Sequence, residues 1–118
     1  VPYALTHPER VRDDGVPRFD PVAHSPLTFE RVRLDDFPAL RLGLEAGRNG
    51  GAAPAVFNAA NERAVALFLE GKMQFADIAA SIDDALARLG SMSGRDKQAL
   101  LAADAAARAH VTARAERR

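Results

Sequence analysis

The sequence predicts a mainly α-helical protein in two parts: an extended, proline-rich N-terminal arm over residues 1–36 with one or two short strands, then a small four-helix bundle domain over residues 37–118. Three observations predict it. Six of the seven prolines (Pro2, Pro8, Pro17, Pro21, Pro26 and Pro38) fall in the first 38 residues. No long helix survives that density, because an internal proline removes a backbone hydrogen bond and clashes with the preceding turn. Beyond Pro38, apolar residues recur at intervals of three and four, and glycines at 47–51, 71 and 90–94 cut the pattern into helix-length pieces.

Within the arm, Leu27-Thr28-Phe29 has the β-branched and aromatic content of a strand, and Glu30-Arg31-Val32-Arg33-Leu34 alternates as a half-buried strand does. Strands this short need a partner sheet. Asp35 or Asp36 is expected to cap a first helix beginning near Pro38, with Leu40, Leu44 and Ala39 on its buried face and Gly47 to Gly51 ending it. A second helix runs from about Pro54 to Glu70, where proline at a helix start gives up only an N–H that lacks a partner anyway. Its apolar residues Val56, Phe57, Ala60, Ala64, Leu67 and Phe68 should make it the most buried of the four. The third, Phe75 to Leu89, sets Ile78, Ile82, Leu86 and Leu89 in a stripe against Asp77, Asp83, Asp84 and Arg88 outside, and Gly90 stops it. The fourth spans Arg95 to Arg114. Short joins between helices of this length suggest a bundle.

At 118 residues and 47% hydrophobic content the chain suffices for one small domain, with much of the apolar fraction in alanine and therefore a thin core. Sixteen basic against sixteen acidic residues argue against nucleic acid or an anionic membrane as partner. Cysteine is absent, which excludes disulfides and thiolate metal sites. No run approaches a membrane span, and the chain is expected to be soluble.

The most distinctive stretch is Val56-Phe57-Asn58-Ala59-Ala60-Asn61-Glu62, two amides and a carboxylate in an apolar segment. On a helix, Asn58, Asn61 and Glu62 share one face, and Ala59 and Ala60 let a neighbour approach closely. That face suits a specific polar contact. Elsewhere the residues point to little chemistry. His7, His24 and His110 lack metal-ligand spacing, and the adjacent acids Asp13-Asp14, Asp35-Asp36 and Asp83-Asp84 fit capping and solvation. Arg108, Arg114, Arg117 and Arg118 are interleaved with Asp104 and Glu116 and lack an aromatic platform, so they read as a solvated helix end. No G-x-G-x-x-G joins a strand to a helix, and Gly50-Gly51 does not replace it.

Together with Tyr3-Ala4-Leu5-Thr6-His7-Pro8-Glu9-Arg10, Leu27-Thr28-Phe29-Glu30, Phe37-Pro38-Ala39-Leu40-Arg41-Leu42, and Phe68-Leu69 through Phe75-Ala76-Asp77-Ile78, the Asn58 motif resembles the C-terminal region of the 1-deoxy-D-xylulose 5-phosphate reductoisomerase family. Order and spacing agree along nearly the whole chain. The resemblance implies the tail of a longer, homodimeric, NADPH-dependent enzyme of the non-mevalonate isoprenoid pathway that also uses magnesium or manganese. Its nucleotide-binding and catalytic domains, not this chain, would hold the cofactor, the metal and the catalytic residues. The implied role of the chain is structural; for Asn58, Asn61 and Glu62 the structural reading is that the amides satisfy backbone groups of the arm or of a helix end, locking the bundle against the rest of the enzyme, and the functional alternative is that this face contacts a cofactor or an active-site loop of the neighbouring domain. A free-standing helical interaction module without catalytic activity is the alternative for the whole chain. Fourteen arginines against two lysines, with abundant alanine, fit a GC-rich bacterial source, and cytoplasm is the expected compartment.

Overall fold

A computed structural model describes residues 2–11, 14–15 and 17–117, so Asp13 and Arg118 of the groups above lie outside the described residues. The chain divides into two compact units, Val1–Arg31 and Val32–Arg118.

The first unit opens with a five-residue helix, α1 (Pro2–Thr6), where the sequence led us to expect extended chain. Proline favours a first helical turn, and Pro8 follows just beyond the end. The Tyr3 and His7 rings meet edge to face at 5.5 Å, and the Arg10 guanidinium lies 4.8 Å from the Tyr3 ring centre. Asp20 Oδ1 accepts from the backbone N–H groups of Val22 and Ala23, folding a turn in which Phe19 stacks on His24. The two expected strands do not form. Residues 27–33 carry no regular structure and 34–36 make a turn, closed by Asp36 and Phe37 N–H groups donating to the Arg33 carbonyl. A lone strand has no ladder to join, and no strand exists among the described residues to offer one.

The second unit is four helices: α2 (Pro38–Asn49), α3 (Ala53–Leu69), α4 (Phe75–Leu89) and α5 (Lys97–Glu116). The protein is thus mainly α, as expected. α3 is central, packing against α2, α4 and α5, while α4 also meets α2 and α5. Its buried residues, Ala53, Val56, Ala59, Ala60, Ala64 and Leu67, join Leu42, Ile82, Ala85, Ala103, Ala107 and Val111 in the core. Phe57, Ile78, Leu86 and Leu89 pack against it from the rim. Alanine predominates at the centre, with Ala59, Ala60, Ala64, Ala85, Ala103 and Ala107 all fully buried.

Two local expectations need correction. Neither Asp35 nor Asp36 caps α2; Phe37 stands at the cap without a side-chain hydrogen bond, and Asp36 instead pairs with Arg33 at 3.0 Å. Nor does α2 bury Leu40 and Leu44, which are 46% and 52% exposed; Leu42 and Ala46 turn inward. Both pairs are four apart, so spacing alone could not choose between the stripes.

The other joins follow elementary rules. Gly71, at φ 72°, ends α3 in the left-handed conformation, with its N–H on the Phe68 carbonyl and that of Lys72 on the Leu67 carbonyl. Asp96 Oδ1 caps α5 by accepting from the Ala99 N–H at 2.8 Å. Gly94 lies so close to the preceding loop that a Cβ there would sit 2.3 Å from the Gly51 carbonyl carbon. The α2–α3 and α4–α5 connections therefore touch backbone to backbone. No helix among the described residues is long and apolar enough to cross a membrane.

Candidate functional site

The Asn58 motif occupies the first turns of α3, and the structure brings two of its three residues together. Asn58 Nδ2 donates to Glu62 Oε1 at 3.1 Å, and Glu62 Oε2 receives Arg108 Nη2 from α5 at 2.6 Å. Arg108 also holds Asp104, one turn earlier on its own helix, through Nε at 2.7 Å and Nη2 at 3.1 Å. Asn61, half-buried, makes no side-chain hydrogen bond among the described residues. The face expected to dock elsewhere is in part a tie between α3 and α5. The Arg108 hydrogen bond, with help from Asn58, holds the Glu62 carboxyl below its usual range, and the same guanidinium lowers Asp104. The two carboxylates in turn raise Arg108.

A second tie joins α4 to α5. Asp84 Oδ2 lies 2.6 Å from His110 Nε2 and 3.3 Å from Arg114 Nη1, while Oδ1 accepts from Arg88 Nε at 3.2 Å. The His110 hydrogen bond, and then Arg88, lower the Asp84 carboxyl against the opposing effect of burial. A third runs from Arg63 Nε on α3 to Thr112 Oγ1 at 2.8 Å, whose hydroxyl donates to the Arg108 carbonyl. So Asp84, Arg108 and Arg114, expected as solvated charges, instead hold helices together. The one-turn spacings Asp84/Arg88 and Asp104/Arg108 were visible in the sequence. The partners across helices, 26 and 46 residues away, were not.

No cluster of three His, Asp or Glu among the described residues stands ready for a metal ion, and both Asp84 oxygens are already taken by His110 and arginines. The Gly50-Gly51 turn leads into α3, where Ala52 and Ala53 at the helix start are buried, and no strand among the described residues precedes it, whereas the turn of a dinucleotide fold follows one.

A different feature lies where α2 and α4 begin. Asp35, Asp36, Phe37 and Pro38 from one side and Phe75 and Ile78 from the other line an open groove of about 280 Å³. Phe75 is 65% exposed and meets Phe68 edge to face at 5.9 Å.

Fold and ion pairs together define a small helical domain in which Glu62, Asp84, Arg108, His110 and Arg114 tie α3 and α4 to α5. Residues 1–110 match the family described as the DXP reductoisomerase C-terminal domain. The 1-deoxy-D-xylulose 5-phosphate reductoisomerase of Ralstonia pickettii is 45% identical over 108 residues, covering 92% of this chain and 27% of that protein. That of Listeria monocytogenes is 42% identical over 111 residues, covering 94% of this chain and 29% of its own length. Among solved structures, the Zymomonas mobilis reductoisomerase in complex with NADPH superposes with a TM-score of 0.79 at 35% identity, over 97% of this chain and 30% of that one. A DOX-P reductoisomerase in complex with magnesium gives 0.74 at 32%. The chain belongs to the DXP reductoisomerase C-terminal domain family. It spans less than a third of the length of these relatives.

Proposed function

We propose that this chain acts as the structural C-terminal domain of an NADPH-dependent reductoisomerase that converts 1-deoxy-D-xylulose 5-phosphate into 2-C-methyl-D-erythritol 4-phosphate for isoprenoid biosynthesis in the bacterial cytoplasm. The observation that carries this reading is the family match along residues 1–110. It supports a part of that enzyme over a free-standing interaction module. The relatives' complexes with NADPH and with magnesium support a nicotinamide cofactor and a divalent cation, magnesium or manganese, in the whole enzyme. Both would bind in its other two domains, nucleotide-binding and catalytic, a reading supported by the lack of a group of three His, Asp or Glu for the metal ion among the described residues.

In this role residues 1–36 tether, and residues 37–118 form the bundle that supports the catalytic domain within a homodimer. Asn58, Asn61 and Glu62 serve as a structural polar motif. The first and last hold α3 to α5 through Arg108, and Asn61, whose amide has no hydrogen-bond partner among the described residues, meets the neighbouring domain. No residue of the chain is assigned a catalytic role. The test is a chimera: the Ralstonia pickettii enzyme with its matching section replaced by this chain, assayed by NADPH oxidation with substrate and magnesium. Turnover is expected in the chimera and lost when the section is deleted. An inactive but folded chimera, or a fully active deletion, overturns the reading.

A further inference from the structure

The leucines that α2 turns outward mark a surface. Phe37, Leu40 and Leu44 fall three and four apart, forming one exposed stripe, and Phe37 and Phe75 line the groove between α2 and α4. Phe75 carries the apolar surface on to Phe68. Isolated exposed apolar residues are ordinary, but a run of them around a concave groove marks an interaction site. The rim is acidic: Arg33 engages Asp36, while Asp35 has no charged partner among the described residues.

We propose that this groove seats the preceding part of the same polypeptide: a segment of the reductoisomerase's other domains that places a large apolar side chain between Phe37 and Phe75, with a lysine or arginine beside it facing Asp35. The inference rests on the reading above and names the face through which the bundle supports its enzyme. Two observations select this occupant. The relatives are more than three times the length of this chain and share the C-terminal domain family, so a covalently linked neighbour is present at high effective concentration. A second copy of the chain is disfavoured by charge, because a two-fold contact centred on the groove would set Asp35, the acid that no cation offsets among the described residues, against its own copy.

The chain has no cysteine, so Phe37→Cys, Phe75→Cys and, as a reference on the exposed side of α5, Ala105→Cys each install a single thiol in it. Rates of modification by a small maleimide are compared between the 118-residue chain and the Ralstonia pickettii chimera, with labelled peptides resolved by mass spectrometry and folding checked by circular dichroism. Docking slows the thiols at 37 and 75 by about tenfold or more in the chimera and leaves that at 105 unchanged. Equal rates at 37 and 75 in an active chimera overturn the groove and leave the enzyme reading standing. Equal rates in an inactive chimera overturn both. Equal slowing at all three positions refutes a contact confined to the groove. Thiols at 37 and 75 that are slow in the isolated chain and quicken on dilution show self-association instead, which also overturns the proposal.

Discussion

Replacing Asp84 with asparagine keeps the side chain's shape and removes its charge. The carboxylate takes His110 and Arg114 on one oxygen and Arg88 on the other, so it is the junction of α4 with α5. Hydrogen bonds to a charged partner contribute about 1.5–3 kcal/mol. Here Arg88 is 65% exposed and Asp84 retains 25% exposure, and surface pairs of that kind contribute under about 1 kcal/mol. The shielded contact to His110 therefore dominates, and Asp84→Asn should cost about 1–2 kcal/mol near neutral pH. In a domain of this size that lowers Tm by about 5–15 °C. The dependence on pH distinguishes this account from a packing defect. The folded-state pKa of Asp84 lies below its unfolded value. Its contribution is thus complete above the unfolded value of about 3.9 and disappears as pH falls through the folded one. Urea unfolding followed by circular dichroism, in steps from neutral pH down through about 3, should show the two proteins converging in acid. A gap absent at neutral pH, or one that persists unchanged in acid, refutes the reasoning.

Ile82, fully buried in mid-α4, loses about 3–4 kcal/mol on replacement by alanine, the transfer cost of the deleted carbons plus a cavity, and urea titration reads it directly. Ser81 is fully buried and its hydroxyl has no hydrogen-bond partner among the described residues, so Ser81→Ala should raise stability by about 1 kcal/mol in the same titration. Gly94→Ala should cost more than about 2 kcal/mol, because its Cβ would meet the Gly51 and Ala52 backbone, which has no torsion to swing aside; a melt within error of the wild type contradicts that contact.

Much of the bundle was legible in the sequence because its helices are bounded by residues with a single-residue mechanism. Phe75–Leu89 lies as expected, and the ends of α2, α3 and α5 fall within two residues of those read from Pro38, Pro54, Gly71 and Arg95. The error at α2 was one of face. Leu40/Leu44 and Leu42/Ala46 share a spacing, and what decides between them is the position of α3, a tertiary fact. The strands at 27–34 failed for a similar reason, since strand propensity describes fit to a sheet that residues here do not supply. The polar motif was found by its oddness, and its helical spacing correctly joined Asn58 to Glu62. The reach of Arg108 across from α5 needed a structure, because a contact 46 residues distant leaves no periodic trace.

The alanines at the heart of the bundle carry a mechanical consequence. Ala59, Ala60 and Ala64 on α3 and Ala103 and Ala107 on α5 are all fully buried. Helices that slide past one another take up the displacement by changing side-chain rotamers at their contact. Alanine has no rotamer to change. The α3–α5 pair is therefore a stiff spar, and compliance falls to the larger, half-exposed side chains where α2 and α4 begin.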